Sequence, residues 1–127
     1  MRILLDSHIF LWWISDDALL PTRIRRVVGS AHNECWVSHA TVWEMAIKAA
    51  LGKLKLHRPV EQFVTEECEV NGFRLLPIAF RHVCAVERLP WHHRDPFDRL
   101  LVCQALAEAM ALATRDPQLE RYGVRVI

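Results

Sequence analysis

The chain has 127 residues, 52% hydrophobic and 24% charged, with 16 Lys and Arg against 15 Asp and Glu and a formal net charge of +1. A chain of this size buries roughly two-thirds of its unfolded surface, so residues 1–127 suit one globular domain that needs no staples. The charge balance excludes a global basic field, so any nucleic acid must be held by a local patch.

In chain order, RILLD (2–6) is a short apolar run closed by an acid and reads as a buried strand. SHIFLWWISD (7–16) reads as a short helix with Ser7 as its cap. LPTRIRRVVGS (20–30) places Ile24, Val27 and Val28 at helical spacing and stops at Gly29. ECWVS (34–38) is a second strand. Ser38 then caps HATVWEMAIKAALGKL (39–54), whose Val42, Met45, Ala46, Ala49 and Ala50 mark one apolar face, with Gly52 near the end. PVEQFVTEECEVNG (59–72) is an amphipathic helix closed by Asn71 and Gly72, FRLLPI (73–78) a third strand, and AFRHVCAVERL (79–89) a further helix.

In WHHRDPFDRLL (91–101), Asp95 is placed to cap a helix, Pro96 suits its first position, and Asp98 falls at N3. PFDRLLVCQALAEAM (96–110) reads as the longest helix, ALAT (111–114) as a fourth strand and VRVI (124–127) as a fifth. Short, apolar strands that alternate with helices predict a three-layer α/β/α sandwich around a central, mainly parallel sheet of four to five short strands.

Cys35, Cys68, Cys84 and Cys103 are widely spaced, form no CxxC pair and lie in apolar contexts, so they read as buried thiols in a reducing compartment. The seven histidines show no HxxxH or HExxH spacing, and the adjacent His92 and His93 would point apart on regular structure. Asp6 interrupts the first apolar run before a signal-peptide core forms, and no apolar stretch of about 18 residues exists. The expectation is a cytoplasmic protein without a membrane span.

In an open parallel α/β sheet, ligands bind outside the carboxyl ends of the strands. Asp6 closes the first strand, Asp116 follows the fourth, Glu44 lies six residues past the second, and Asp95 and Asp98 open the helix leading into the fourth. Each has an ordinary role open to it. Asp6 can cap a helix, Glu44 can pair with Lys48 at i,i+4, and Asp116 before Pro117 can be a turn residue. Four such roles at one sheet edge would be a coincidence. Gathered carboxylates repel unless something neutralises them, and a hard divalent cation is the usual solution.

LLDSHIFLWW, VSHATVWEMAIKAALGKL, HRDPFDRLLVCQALAEAMALATRD and YGVRVI resemble, in order and spacing, the PIN domain, and more narrowly the VapC-type ribonuclease toxins of bacterial type II toxin–antitoxin pairs. The resemblance runs from residue 2 to the end of the chain; each motif is weak and the ordered set is strong. It implies a PIN-like fold and a metal-dependent endoribonuclease that cuts structured RNA and is inhibited by a cognate antitoxin. The family's four acids fall on Asp6, Glu44, Asp98 and Asp116, while Asp95 belongs to the DPFDR signature and is kept as the helix cap that orders the loop. The implied cofactor is Mg²⁺, or Mn²⁺ in its place, with Asp6 and Asp98 as the direct ligands. By the same resemblance, Asp116 and Glu44 would bind a second ion or orient the attacking water, and the products would carry 5′-phosphate and 3′-hydroxyl ends.

Lys48, Arg94, Arg99 and Arg115 flank the acids and are candidates for contact with RNA phosphates. Phe10, Trp12 and Trp13 exceed what one face of a short helix buries, so some should meet a partner, which by the resemblance is a second subunit of a homodimer or an antitoxin segment. A receiver-like phosphoacceptor would want adjacent acids early and a late lysine, whereas Asp6 precedes Ser-His and no lysine follows Lys55. A dehalogenase-type phosphatase would want DxD where LLDSH stands. A PIN nuclease of RNA maturation without a toxin role, and a non-catalytic acidic-pocket binding module, stay open.

Overall fold

Ile3, Leu4 and Leu5 have no exposed surface, and this fully apolar run is what a central parallel strand requires. In the computed structural model, which describes residues 1–127, it forms β1 (Arg2–Leu5). Around it lie β2 (Glu34–Ser38), β3 (Arg74–Leu76) and β4 (Ala111–Ala113), all parallel, in the order β3-β2-β1-β4. The register pairs Leu4 with both Trp36 and Leu112.

Because strand side chains alternate between faces, the sheet divides two cores. Ile3, Leu5 and Val37 pack with Ile9, Phe10, Ile24, Met45 and Val64 on one side. Leu4 and Leu112 pack with Leu100, Leu101 and Leu119 on the other. The helices supplying these faces are α1 (Ser7–Ile14), α2 (Thr22–Val28), α3 (His39–Ala50), α4 (Val60–Asn71), α5 (Phe80–Ala85) and α6 (Pro96–Ala107). The predicted sandwich is the observed architecture. No helix is long and apolar enough to cross a membrane.

Several local expectations change. The first helix is capped by Asp6, not Ser7: the Ile9 amide donates to Asp6 Oδ1 at 2.8 Å. Ser38 does cap α3, accepting from the Ala40 amide at 2.9 Å, and Gly72 ends α4 in the left-handed conformation, at φ +68°. Helix α6 has 12 residues, no more than α3 or α4. The segment 79–89 is divided between α5 and a 3-10 turn at Val86–Arg88, and a second 3-10 turn at Pro117–Tyr122 was not anticipated.

The fifth strand is reduced to one bridge, Leu112 with Val126, held by the Leu112 amide on Arg125 O and the Ile127 amide on Leu112 O. Cys84 is exposed, while Cys35, Cys68 and Cys103 are buried; all four are free thiols. Part of the aromatic cluster is taken up within the chain. Phe10 is fully buried, Trp12 and Trp13 are half-buried against the same core, and Trp13 Nε1 donates to Asn71 Oδ1 at 2.9 Å.

Candidate active site

The carboxyl ends of β1, β2 and β4 deliver Asp6, Ser38 and Thr114 to one edge of the sheet, each at the residue that ends or follows its strand. Asp6 is 3% exposed. It is both a helix cap and an inward-facing acid, since its backbone amide also donates to Ala113 O at 3.0 Å and ties it to β4. Burial pushes its carboxyl above the ordinary range, against the lowering pull of the Thr114 hydroxyl, the Ile9 and Arg115 amides and nearby His8.

Helix α6 begins as its sequence implies. Asp95 Oδ1 accepts from the amides of Phe97 at 2.8 Å and Asp98 at 3.1 Å, which fixes the first turn and aims Asp98 toward the sheet edge. The Asp98 carboxyl is pushed up to about 7, first by burial and then by the charges of Asp95, Asp6 and Glu44; His93 works in the opposite direction. Three acids on three elements therefore share the field of a fourth. Glu44, on α3, is buried apart from one edge, and Lys48 Nζ lies 3.0 Å from its Oε2. Its pairing with Lys48 and its place in the acidic group are compatible.

Asp116 enters through a residue that sequence reasoning passed over. His93 Nε2 is 3.0 Å from Asp116 Oδ2 and 3.4 Å from Asp98 Oδ2. The Asp95 amide donates to His93 Nδ1 at 3.1 Å, which leaves Nε2 as the N–H end that faces the carboxylates. Asp116 is further held by its amide on Thr114 Oγ1 at 3.1 Å and by the Gln118 amide on its Oδ1 at 3.0 Å. His93 lies in an irregular loop, where helix or strand spacing gives no signal; its only sequence cue is proximity to Asp95. His8 was missed as well. It is half-buried near Asp6, Glu44, Lys48 and Arg115, and burial lowers its imidazole pKa.

The four basic candidates separate. Arg94 and Arg115 are exposed and Lys48 is half-exposed. Arg115 lies 5.8 Å from the centroid of the Trp12 ring. Arg99 is withdrawn as a phosphate contact: it is 3% exposed and turned inward. Its guanidinium donates to the carbonyls of Pro90, Leu89, His93 and Val86 at 2.8, 3.1, 3.3 and 3.4 Å. It also reaches the Tyr122 hydroxyl at 3.3 Å and stacks on Trp91 at 3.9 Å. Arg99 is the clamp that shapes the loop carrying His93.

The donors gathered here are carboxylate oxygens, with one imidazole behind two of them, and no three of them close on a single point as a complete ligand set. A hard cation such as Mg²⁺ uses one or two carboxylates and keeps several waters. The burial that lifts Asp98, and the neighbouring acids that add to it, are the electrostatic deficit such a cation offsets. The residues fit the group.

The PIN domain family model matches residues 3–125. The chain belongs to the PIN domain family. Among curated relatives, this PIN domain is 27% identical over 122 residues to Ribonuclease VapC22 of Mycobacterium tuberculosis, covering 94% of this chain and 91% of that protein. Two solved structures share its fold. VapBC2 from Rickettsia felis, bound to a DNA fragment from its promoter, aligns over 100% of this chain and 98% of its own at a TM-score of 0.72 and 13% identity. DNA-bound VapBC from Salmonella typhimurium aligns over 100% and 97% at a TM-score of 0.70 and 17% identity. At such identities these structures speak for the PIN fold alone.

Proposed function

We propose that this PIN domain is a metal-dependent endoribonuclease and the toxin of a type II toxin–antitoxin pair. The observation that carries the reading is the crowding of Asp6, Glu44 and Asp98 at the strand ends, with Asp116 joined to Asp98 through His93. Asp6 and Asp98 would hold Mg²⁺ or Mn²⁺, and Asp116 and Glu44 would complete the site or orient the attacking water. A bound cation supplies charge neutralisation at the phosphate and makes water a nucleophile at neutral pH.

The chain's own residues set the rest. Asp95 fixes the start of α6 and so the direction of Asp98. His93 donates Nε2–H to Asp116 and lies beside the Asp98 carboxylate at 3.4 Å, so it keeps the two acids in register. Lys48, Arg94 and Arg115 are the cations left to meet RNA phosphates. The curated relative's name supports the ribonuclease reading; the toxin role, a cognate antitoxin as partner, a cytoplasmic location and a homodimer are parts of the proposal.

Expressed without an antitoxin in a bacterium, the chain is expected to arrest growth, and Asp6→Asn to relieve the arrest. Asparagine keeps the cap on α1, so relief with an undiminished protein level reports lost chemistry and not lost folding. Arrest that persists in Asp6→Asn contradicts nuclease toxicity and favours a binding module.

A further inference from the structure

Trp43 is 57% exposed, although it lies in the second turn of a 12-residue helix and directly precedes the buried Glu44. Its ring meets Phe97 edge-on, with centroids 5.1 Å apart at 72°. Phe97 in turn directly precedes Asp98, on α6. Two helices distant in sequence thus repeat one arrangement: an acid turned toward the strand ends, and an aromatic ring at the preceding position. Neighbouring residues on a helix point about 100° apart, so each ring flanks its acid; Trp43 is exposed where Glu44 is buried, while Phe97 and Asp98 are both half-buried.

A tryptophan ring left largely in water forgoes most of the stabilisation its area offers, and here its outer face is open. Cations stand near the acidic group: Lys48 is paired with Glu44, one of the two flanked acids, and Arg115 directly precedes Asp116. Aromatic faces combined with scattered cations suit single-stranded nucleic acid, because every base has a face to stack and every linkage carries a phosphate. Unpaired RNA bases in loops and bulges are held in this way, whereas bases inside a duplex are already stacked. A protein partner has more exposed aromatic rings to use elsewhere, Phe80 of α5 and Trp91.

We propose that Trp43, braced edge-on by Phe97, stacks an unpaired base beside the phosphate that is cut and so positions that phosphate at the carboxylates. The inference rests on the nuclease reading and names the residue that positions the substrate. Trp43 is a positioning residue in this account.

The test uses the full chain and a fluorescein-labelled RNA hairpin with an unpaired pyrimidine loop, with affinity read by anisotropy in Ca²⁺ and cleavage in Mg²⁺. Trp43→Ala is expected to weaken binding roughly five- to a hundredfold, the range for losing one stacked base, with an unchanged melting temperature; Trp43→Phe should retain most of the affinity. A hairpin whose loop lacks its bases should lose the same factor with the wild type, and combining it with Trp43→Ala should cost nothing further. Equal binding of the intact loop by wild type and Trp43→Ala overturns the proposal while leaving a cleaving wild type as a nuclease. The same holds if that variant is impaired only toward a protein partner. Trp43-dependent binding without cleavage keeps the platform and removes the nuclease reading. If the wild type neither binds nor cuts, both fall.

Discussion

Asp98→Asn is expected to lower RNA cleavage by at least roughly a hundredfold, the scale of losing a group that acts on the charge of the reaction, while the fold survives. The reason is local. Asp98 is half-buried in the field of Asp95, Asp6 and Glu44. The amide isostere fills the same space and keeps the helix but removes the negative charge a cation would meet. In metal-free buffer the substitution should raise the melting temperature, since it deletes a charge that its neighbours disfavour.

Asp95→Asn is the paired control. Asp95 serves the Phe97 and Asp98 amides through one oxygen, and asparagine is among the best residues for that task. This variant should retain most activity. Equal losses from the two substitutions, with both proteins folded, would mean that Asp95 is a member of the site and not its support.

Arg99→Ala is expected to cost about 2–5 kcal/mol of stability, the range for stripping a buried charged donor from its partners, and to lower the melting temperature by roughly 10 °C. Four carbonyls between Val86 and His93 and the Tyr122 hydroxyl lose a shared donor. Lysine should not restore the loss, because one ammonium cannot reproduce a planar fork of donors on acceptors spread along a loop. Cleavage should fall as well, since the same loop holds His93 between Asp98 and Asp116. A phosphate-contacting arginine behaves differently: its loss raises KM and leaves the melting temperature unchanged. Thermal unfolding of Arg99→Ala separates the two.

Arg99 also shows where sequence reasoning stops. Residues Arg99 to Ala105 are buried without a break, so α6 has no polar face to reveal which way its one arginine turns. That direction is decided by the loop 86–93, which is irregular and has no period. His93 was hidden for the same reason. The four acids were legible because each stands at a fixed offset from an apolar strand or a cap, where one residue's position determines its edge of the sheet. Strand β2 and the cap at Ser38 were legible on the same grounds. The fate of Phe10, Trp12 and Trp13 was not, because it depends on Phe63, Phe73 and Asn71 from α4 and its end. Asp6 shows that a capping role and a place in the site are not alternatives: one oxygen accepts the Ile9 amide while the carboxyl stays in the acidic group.

The most direct test of a cation-dependent carboxylate site is cleavage of a structured RNA by the purified chain, followed as Mg²⁺ is added and then removed with EDTA. Endonucleolytic products bearing 5′-phosphates that appear with Mg²⁺, return with Mn²⁺ and vanish with EDTA are the predicted result, because the carboxylates alone do not activate water at neutral pH. Cleavage indifferent to EDTA, or none at any Mg²⁺ concentration, would contradict it.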